Sequence, residues 1–576
     1  MGRPGESAFR GKAETHNDIS EVGIVTLTEN NKEGGCMRKI WDAIRNTGLP
    51  SRRDLFAKLP LASLPVFLQP QSIAAAPGKG LEVGPNIYQS IGVRPLINCR
   101  GTLTIIGGSL ELPEVLAAQQ AAAKHYVQLD ELMEGIGRRL AELTGAEWGI
   151  VTSGCAAGMA HATAACVAGG NPDLHVRIPN LHGFAKDEVI IPKHSRNVYD
   201  AAIRSVGVKI IEVNSPEELE RAMGPRVAMI YIFANERSAS GSLSTEAIAS
   251  MAKPRGIPIF VDAAAEVLTI PNVHLQKGAT LVGYSGGKAL RGPQCTGIVL
   301  GRKDLVQAMW MHSAPHHGYG RSMKVGKEEA MGALMAVEMW TKRDHQAEWK
   351  QWLSRLEHIA EAVKRLDGVT TNLREPRGLS NRSPGLGISW NTAKLGITGE
   401  QVSELLYKGE PRIALGGGGA RMRTADTDTG ISVTAYMMQP GDEKIVAKRI
   451  VEVLSSSRGP LQQAAPKQPA ADLTGRWNVH LEFLSGSTDH VLYLNQQGNQ
   501  IVGTHHGDFV KRDLAGTIDG PSVRVTSNMS EGEMGDHLTF TFAGTLEAGE
   551  MSGEVDMGEY LKAKWTAKRH TYSRTL

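Results

Sequence analysis

The sequence predicts an α/β protein with a mainly parallel sheet in its large domain. A small α/β domain follows, and an antiparallel β-barrel or sandwich lies at the C-terminal end. Alternating strand and helix patterns between about residues 145 and 300 are typical of a parallel sheet wrapped by helices. Within them, a nearly continuous apolar run, residues 257–261, ends in Asp262, as a buried strand does at a ligand-binding sheet edge. Beyond residue 471 the hydropathy pattern changes to a period of two.

With 576 residues the chain is too long for a single hydrophobic core, so we expect several domains. A Ser, Gln, Ala and Pro-rich stretch indicates a linker before the last of them. The predicted divisions are an N-terminal segment (1–80), the large domain with its N-terminal segment (81–325), the small α/β domain (326–456), the linker (457–471) and the β domain (472–571).

Charge and cysteine spacing exclude several classes of function. The formal net charge is +3 and no long basic run occurs, which argues against a nucleic-acid partner because binding to phosphates needs clustered Lys and Arg. The five cysteines and the histidines show neither metal-ligand spacing nor a disulfide framework, so no metal is expected. No apolar run reaches the roughly 20 residues of a membrane span.

The first 80 residues differ from the rest of the chain. Paired arginines (Arg52–Arg53), a mildly apolar stretch (59–68) and small residues ending at Pro77 have the layout of a twin-arginine export signal. Such a signal implies an exported or periplasmic protein. The alternative is an unstructured tail whose arginine pair arose by chance, in which case the protein is cytoplasmic.

An anion site is predicted where the first large strand ends. Residues 148–152 are strand-like, a turn follows, and 157–167 form a helix of small residues. A strand, a glycine-containing turn and a helix leave free backbone N–H groups at the positive end of the helix dipole. The predicted anion ligands are Ser153, Gly154, Cys155 and Ala156. Cys155 itself is more simply a packing residue, since the sequence shows no base beside it.

A lysine follows the short apolar run that begins at Leu281. Lys288 stands on a glycine-rich turn about 20 residues after Asp262, with Ser285 able to aim a hydroxyl at an anion beside it. A lysine of this kind can form a Schiff base. Pyridoxal phosphate needs a lysine for its aldehyde and a carboxylate facing its pyridinium nitrogen. The pair therefore predicts a pyridoxal-phosphate site, with the turn at Ser153 holding the phosphate; a surface loop with a solvated lysine is the plainer alternative.

Two stretches, Phe260–Ala265 and Tyr284–Gln294, carry a family resemblance. They resemble fold-type-I, aminotransferase-like pyridoxal-phosphate enzymes of the selenocysteine synthase (SelA-like) superfamily, and more closely its D-glucosaminate-6-phosphate ammonia-lyase branch. The resemblance covers roughly residues 87–454. It implies a homodimer or a higher homo-oligomer, because such sites are commonly completed by a neighbouring subunit.

The resemblance also suggests roles for residues that the patterns alone leave open. His194, after a strand at 188–191, stands where a ring would stack on the cofactor or act as a general acid, although a capping or surface histidine fits the pattern as well. Asn235, at the end of the strand 227–233, could hydrogen-bond the cofactor's phenolic oxygen or the substrate. Ala264 would be small enough to let the pyridine ring lie flat.

Substrate contacts are predicted at two places. Thr104, or Ser109 nearby, could line the active site, and Arg321 in a Gly-Arg-Ser-Met-Lys-Val-Gly-Lys-Glu run could grip a substrate carboxylate or phosphate. The alternatives are a turn feeding the first large helix and a solvated basic turn. A late arginine often binds the substrate carboxylate in this fold, and Arg412, Arg421 and Arg423 compete for that role.

The residues alone predict pyridoxal-phosphate carbanion chemistry on a small amino acid or amino-sugar acid. The family branch implies α,β-elimination with release of ammonia, in which Lys288 removes the α-proton and Asp262 stabilises the pyridinium. Transamination, racemisation and aldol cleavage are alternatives, because they start from the same external aldimine of substrate and cofactor. The presence of both Lys288 and Asp262 argues against a non-catalytic binding protein. The charge distribution argues against a selenium transferase, which must bind tRNA. The weakly lipocalin-like β domain would be accessory.

Overall fold

The computed structural model describes residues 80–417, 428–456, 466–529 and 538–571. The predicted export signal, Arg421 and Arg423 lie outside these ranges. Within the ranges, no helix combines the length and the apolar character that crossing a bilayer requires.

Twelve strands and fifteen α-helices precede residue 457 in the described part of the chain. The strands are β1 (Ile97–Cys99), β2 (Trp148–Thr152), β3 (Glu188–Pro192), β4 (Lys209–Val213), β5 (Val227–Phe233), β6 (Ile259–Asp262), β7 (Leu281–Ser285), β8 (Gly297–Gly301), β9 (Val369–Arg374), β10 (Gly385–Asn391), β11 (Ile413–Gly417) and β12 (Asp428–Thr434). The helices are α1 (Pro113–Ala122), α2 (Leu129–Thr144), α3 (Gly154–Ala168), α4 (Pro172–His175), α5 (Ala201–Arg204), α6 (Pro216–Ala222), α7 (Glu236–Ala239), α8 (Thr245–Ala252), α9 (Val273–Gln276), α10 (Lys303–Met311), α11 (Lys327–Lys342), α12 (His345–Val363), α13 (Thr392–Leu395), α14 (Gly399–Lys408) and α15 (Asp442–Ser455).

The large domain is built on a seven-stranded sheet with the order β2-β8-β7-β6-β5-β3-β4. All neighbouring pairs from β7 to β4 are parallel, whereas β8 runs antiparallel to both β7 and β2. The mainly parallel sheet predicted from the sequence is confirmed. Because β2, β6 and β7 run in the same direction, their carboxyl ends meet at one edge, where ligands bind in open α/β sheets.

Small residues let α3 pack closely on this sheet. Almost all of α3 is buried, and its face is made largely of alanine and glycine. A Cβ atom on Gly297 of β8 would come within 2.4 Å of the Cys155 backbone nitrogen and the Gly154 carbonyl carbon, well inside van der Waals contact. Only glycine at position 297 allows the antiparallel strand to pass beneath the start of α3.

A five-stranded sheet with the order β1-β11-β12-β10-β9 forms the small domain. Strands β9 to β12 pair antiparallel with their neighbours, and α12, α14 and α15 contribute to its separate core. The edge strand β1 pairs parallel with β11, so residues 97–99, which precede the large domain in the chain, belong to this sheet. Helix α14 begins with a capping box between Thr398 and Gln401.

The C-terminal domain is a closed barrel of eight antiparallel strands. This result decides between the barrel and the sandwich that the pattern predicted. Alternate side chains point inward and pack around Trp477, Phe542 and Trp565 in a core of their own. Pairing of the first strand with the last leaves no open sheet edge. The strands are β13 (Gly475–Glu482), β14 (Ser487–Gln497), β15 (Gln500–His506), β16 (Lys511–Asp519), β17 (Ser522–Met529), β18 (Phe540–Glu547), β19 (Glu550–Asp556) and β20 (Lys562–Arg569).

Candidate active site

A cavity of about 540 Å³ lies at the carboxyl edge of the large sheet. Both domains line it, since residues after β2, β6 and β7 meet residues of the small domain there. Eight of the residues predicted from the sequence line this cavity: Thr104, Gly154, Cys155, Ala156, Asp262, Ala264, Ser285 and Lys288. The lysine and the aspartate on which the prediction depends are therefore in one site.

Asp262 is buried at the end of β6, and every hydrogen bond it accepts comes from a neutral group. The Tyr231 hydroxyl donates to Oδ2 at 2.9 Å, and the Ala264 N–H donates to Oδ1 at 3.0 Å. Burial raises the pKa of Asp262, while these two hydrogen bonds and nearby Lys288 oppose the increase. No ion pair of Asp262 is present among the described residues, so a cationic group in the cavity would stabilise the carboxylate directly.

Lys288 is held by a turn in which two glycines are sterically required. A Cβ on Gly286 would lie 2.1 Å from the Thr296 Oγ1 atom, and one on Gly287 would lie 2.4 Å from the Gln294 Cα atom. The Gly286 N–H also donates to the Thr296 carbonyl at 2.8 Å. The turn is therefore folded tightly onto residues 294–296, which fixes the base of the lysine side chain at the cavity.

The N-terminus of α3 forms the anion-binding part of the site. Gly154 opens the helix with φ of +83°, a left-handed conformation that glycine adopts without strain. The helix runs 15 residues, so the first-turn N–H groups of residues 154–156 combine with the helix dipole beside the cavity. Ser153 is the N-cap residue, its side chain makes no capping hydrogen bond, and it does not itself line the cavity.

The Cys155 thiol is buried against the carboxylate. Its Sγ lies 3.7 Å from Asp262 Oδ1, and burial, followed by the negative charge of Asp262, raises the pKa of the thiol well above its ordinary value. Because the thiolate is the reactive form of cysteine, this environment suits a packing residue and not a nucleophile.

His194 and Asn235 lie next to one another, but neither lines the cavity. The Asn235 Nδ2 donates to the His194 carbonyl at 3.1 Å, and its Oδ1 accepts from the Ser238 N–H at 3.0 Å. The amide of Asn235 therefore caps α7 and ties it to the turn after β3, which differs from the expected contact with the cofactor or the substrate. His194 is half-buried, its Nε2 has no hydrogen-bond partner, and burial lowers its pKa.

Arg321 is exposed and does not line the cavity. Within a single chain it therefore lies away from the predicted substrate contact. It lies on the segment between α10 and α11, where its N–H bonds the Gly318 carbonyl. Arg412 also lies outside the cavity, with its guanidinium 5.0 Å from the centre of the Tyr407 ring. Neither arginine is therefore among the described residues that line the cavity of a single chain.

Several cavity residues were not predicted from the sequence. Tyr199, not His194, is the ring-bearing residue of the segment after β3 that reaches the cavity. Tyr436 and Asn381 come from the small domain, and the Tyr436 hydroxyl accepts from the Thr102 N–H at 3.0 Å. No motif surrounds these residues, and only the Asn381 backbone, with φ of +46°, is unusual locally.

Together these groups fit pyridoxal phosphate. An amine that can attach to the aldehyde, a buried carboxylate without an ion pair and a helix N-terminus for the phosphate surround one cavity, and Ala264 adds only a methyl group to its wall. The chemistry of these donor groups matches an organic, phosphate-bearing cofactor. Among the described residues no cluster of side chains could hold a metal ion.

Comparison with known proteins identifies the family. Residues 119–329 match the aminotransferase class-V family model. D-glucosaminate-6-phosphate ammonia lyase of Salmonella typhimurium is 32% identical over 57% of this chain and 88% of its own length. A solved structure of a D-glucosaminate-6-phosphate ammonia-lyase superposes with a TM-score of 0.57 at 29% identity, covering 64% of this chain and 98% of that one. The chain belongs to the fold-type-I pyridoxal-phosphate enzymes of the SelA-like superfamily.

Two further relatives are similar over different lengths. The 5'-C-glycyluridine monooxygenase-decarboxylase of a Streptomyces species is 29% identical over 65% of this chain and 93% of its own length. The L-seryl-tRNA(Sec) selenium transferase of Moorella thermoacetica is 27% identical, over only 41% of this chain and 55% of its own length. As a fold-type-I enzyme, this protein uses pyridoxal 5'-phosphate and is a lyase or a transferase.

Proposed function

We propose that this protein is an ammonia-lyase that acts on an amino-sugar acid by α,β-elimination. The observation that carries the proposal is the meeting of Lys288 and Asp262 in one cavity beside the N-terminus of α3. The likeness to the Salmonella enzyme, whose name specifies an amino-sugar acid and ammonia release, favours elimination among the reactions open to such a site.

Each group in the cavity has a distinct task. The N–H groups at residues 154–156 and the Ser285 hydroxyl would hold the cofactor phosphate, and Lys288 would hold its aldehyde carbon. Asp262 would keep the pyridine nitrogen protonated, because a buried carboxylate stabilises a facing cation. Bound in this way, pyridoxal phosphate draws electrons from the α-carbon of an amino substrate.

Lys288 then has a second task as the general base. Its Nζ would take the α-proton of the bound substrate and could return a proton to the departing β-hydroxyl, which would leave as water. The cofactor would supply the electron sink for this elimination, and a second water would release the amino group as ammonia. The overall change converts the amino-sugar acid into a 3-deoxy-2-keto acid and ammonia, with one water released and one consumed.

Ammonia release under defined conditions tests this proposal. Purified protein reconstituted with pyridoxal phosphate should release equal amounts of ammonia and keto acid from D-glucosaminate 6-phosphate or D-glucosaminate, and Lys288→Ala should abolish both. Transfer of the amino group to added pyruvate without free ammonia would identify an aminotransferase instead. Formation of an aldehyde would indicate aldol cleavage, and absence of any amino-acid chemistry in reconstituted protein would favour a binding protein.

We also propose a homo-oligomer, at least a dimer, and export by the twin-arginine route. Sites of this fold are commonly completed by a neighbouring subunit, and residues 38–77 have the layout of the signal. Light scattering of the purified protein measures its oligomeric state. Cell fractionation that compares the wild type with an Arg52→Lys, Arg53→Lys variant measures export.

A further inference from the structure

A second cavity, of about 230 Å³, borders on the first. Lys288, Thr102, Ala265, Asn381 and Tyr436 line both. The amine that would bind the cofactor therefore also faces a second space, which is available to the part of a substrate that extends away from the reacting carbon.

This second cavity is strongly basic. Its lining contains four arginines and a single carboxylate, that of Glu348. Arg343 binds both oxygens of this carboxylate, with Nε and Nη2 donating at 2.9 and 3.0 Å, and the His345 Nδ1 lies 3.3 Å from one of them. Arg355 is buried and donates to the Met438 carbonyl at 2.6 Å. Arg291, Arg355 and Arg382 have no ion pair among the described residues, and of these three only Arg291 and Arg382 are at least partly exposed.

Arg291 occupies a backbone position that normally requires glycine. Its φ is +59°, in the left-handed region, which is strained for a residue that carries a Cβ. Its Nε donates to the Leu110 carbonyl at 2.9 Å, which fixes the guanidinium at the cavity wall and leaves both Nη groups without a protein acceptor in the described structure. Strain of this kind, three residues from Lys288, is typical of a residue kept for its side chain.

The surroundings of Arg291 also disfavour its charge. Burial, followed by the positive charge of Arg343, lowers its pKa. An anion bound beside Arg291 would offset the positive charge of Arg343 and supply an acceptor for the Nη groups of Arg291. Arg291 and Arg382, which are at least partly exposed and have no ion pair in the described structure, match a dianion better than a single carboxylate, which would leave one of them unneutralised.

We propose that the second cavity binds a phosphate ester at the far end of the substrate, with Arg291 as the main ligand and Arg382 at the exposed rim. The inference rests on the proposed function and specifies it, because it names a phosphorylated amino-sugar acid as the substrate class. Arg291 is then a determinant of specificity that acts on substrate affinity, not on the proton transfer at Lys288.

Paired substrates test the proposal in reconstituted holoenzyme. Wild-type enzyme should show a kcat/KM for D-glucosaminate 6-phosphate at least about 30-fold above that for D-glucosaminate, the size expected of a charge-assisted contact. Arg291→Gln should remove most of that ratio by raising KM for the phosphorylated substrate, with kcat nearly unchanged. Arg291→Gly, which suits the left-handed backbone, should do the same and shows that misfolding is not the cause.

The matched control is Arg365→Gln, which removes the same charge from an exposed position outside both cavities and should leave the ratio unchanged. Equal kcat/KM for both substrates in the wild type would overturn the inference while leaving the ammonia-lyase function intact. An equal loss for both substrates in Arg291→Gln would overturn it as well, because the cavity would then bind the α-carboxylate.

If neither compound releases ammonia, that result counts against the proposed function alone. A binding measurement then tests the anion site independently. Inorganic phosphate titrated calorimetrically into wild-type holoenzyme should bind at one site beyond the bound cofactor. Arg291→Gln should weaken this binding at least 10-fold, and Arg365→Gln should not. Absence of phosphate binding to the wild type, or identical binding to Arg291→Gln, would refute the proposed anion site.

Discussion

Asp262 shows how one buried residue can set the chemistry of the whole site. It is inaccessible, it accepts hydrogen bonds from Tyr231 and Ala264, and no ion pair neutralises it within the described structure. A buried charge left without its ionic partner destabilises a protein by about 3–5 kcal/mol. The buried Asp262 carboxylate is therefore fully stabilised only when a cation faces it.

We expect Asp262→Asn to lower kcat/KM for ammonia release by at least about 100-fold, since a neutral amide cannot stabilise a protonated pyridine nitrogen. Lys288 would still attach the cofactor, so the visible absorption of the bound cofactor should persist with a shifted maximum. Asp367→Asn, a change at an exposed ion pair with Lys394, is the control. Unchanged turnover in Asp262→Asn would contradict the assigned role.

His161, on α3, is a second buried residue with a measurable consequence. It is fully inaccessible, and neither ring nitrogen has a hydrogen-bond partner in the described part of the chain. Burial, followed by the proximity of His312, lowers its pKa to about 3, against about 6.5 in an unfolded chain. Between these two pKa values His161 is protonated in the unfolded state but not in the folded state. The protein therefore loses stability as the pH falls from about 6.5 to about 3. Below pH 3 both states are protonated, and this residue causes no further loss.

His161→Leu should therefore raise the melting temperature at pH 5 more than at pH 8. The difference is at most about 1.4 kcal/mol per pH unit below pH 6.5. Thermal unfolding followed by circular dichroism at several pH values measures it. His358→Leu, on the exposed face of α12, should show no pH-dependent gain; an equal gain in both variants would mean that hydrophobicity alone is responsible.

At the scale of the elements, the start of α3 depends on how closely β8 passes beneath it. Gly297→Ala should displace the N–H groups that would hold the cofactor phosphate, because the new methyl would lie 2.4 Å from the Gly154–Cys155 peptide. We expect at least about a 10-fold faster loss of pyridoxal phosphate on dialysis, allowing about 1–3 kcal/mol for the overpacking.

The control for this change is Gly170→Ala, just beyond the end of α3, where a Cβ would meet no atom within 4 Å. It should retain the cofactor as the wild type does. If Gly297→Ala also retains it, the helix N-terminus does not carry the phosphate.

The elements also show what the sequence could and could not reveal. β5 and β6 were predictable because they are almost fully buried apolar runs. Asp262 and Lys288 were predictable because the first ends β6 and the second closely follows the buried strand β7. The antiparallel direction of β8 could not be read, since a buried strand has the same pattern in either direction. β19 is hard to recognise from the sequence, because Gly553 and its acidic neighbours weaken the strand signal.

At the scale of the whole molecule, the site depends on packing between segments far apart in the chain. Tyr436 and Asn381 reach the cavity only because the small domain folds against the large one, and no local pattern marks them. Asn235 shows the converse, because its position after β5 suggested a ligand, whereas its amide is used to cap α7. Sequence motifs identified Lys288 and Asp262 as the reactive residues, but long-range contacts determine which other side chains surround them.

The separate core of the barrel leads to a prediction for the isolated domain. Residues 466–571 should fold alone, because all eight strands pair within the domain and its tryptophans pack among its own side chains. We expect a single cooperative urea transition in tryptophan fluorescence and a β-rich far-ultraviolet spectrum. A non-cooperative transition would contradict this independence. The rest of the chain should retain ammonia release without it.

Closure of that barrel has a practical consequence. Backbone groups on a free strand can recruit strands of other chains and seed fibrils, and a closed ring presents none along its sides. The eight-stranded module is thus suited to fusion with the end of an unrelated carrier protein, where its described strands would add a folded domain without adding a template for amyloid growth.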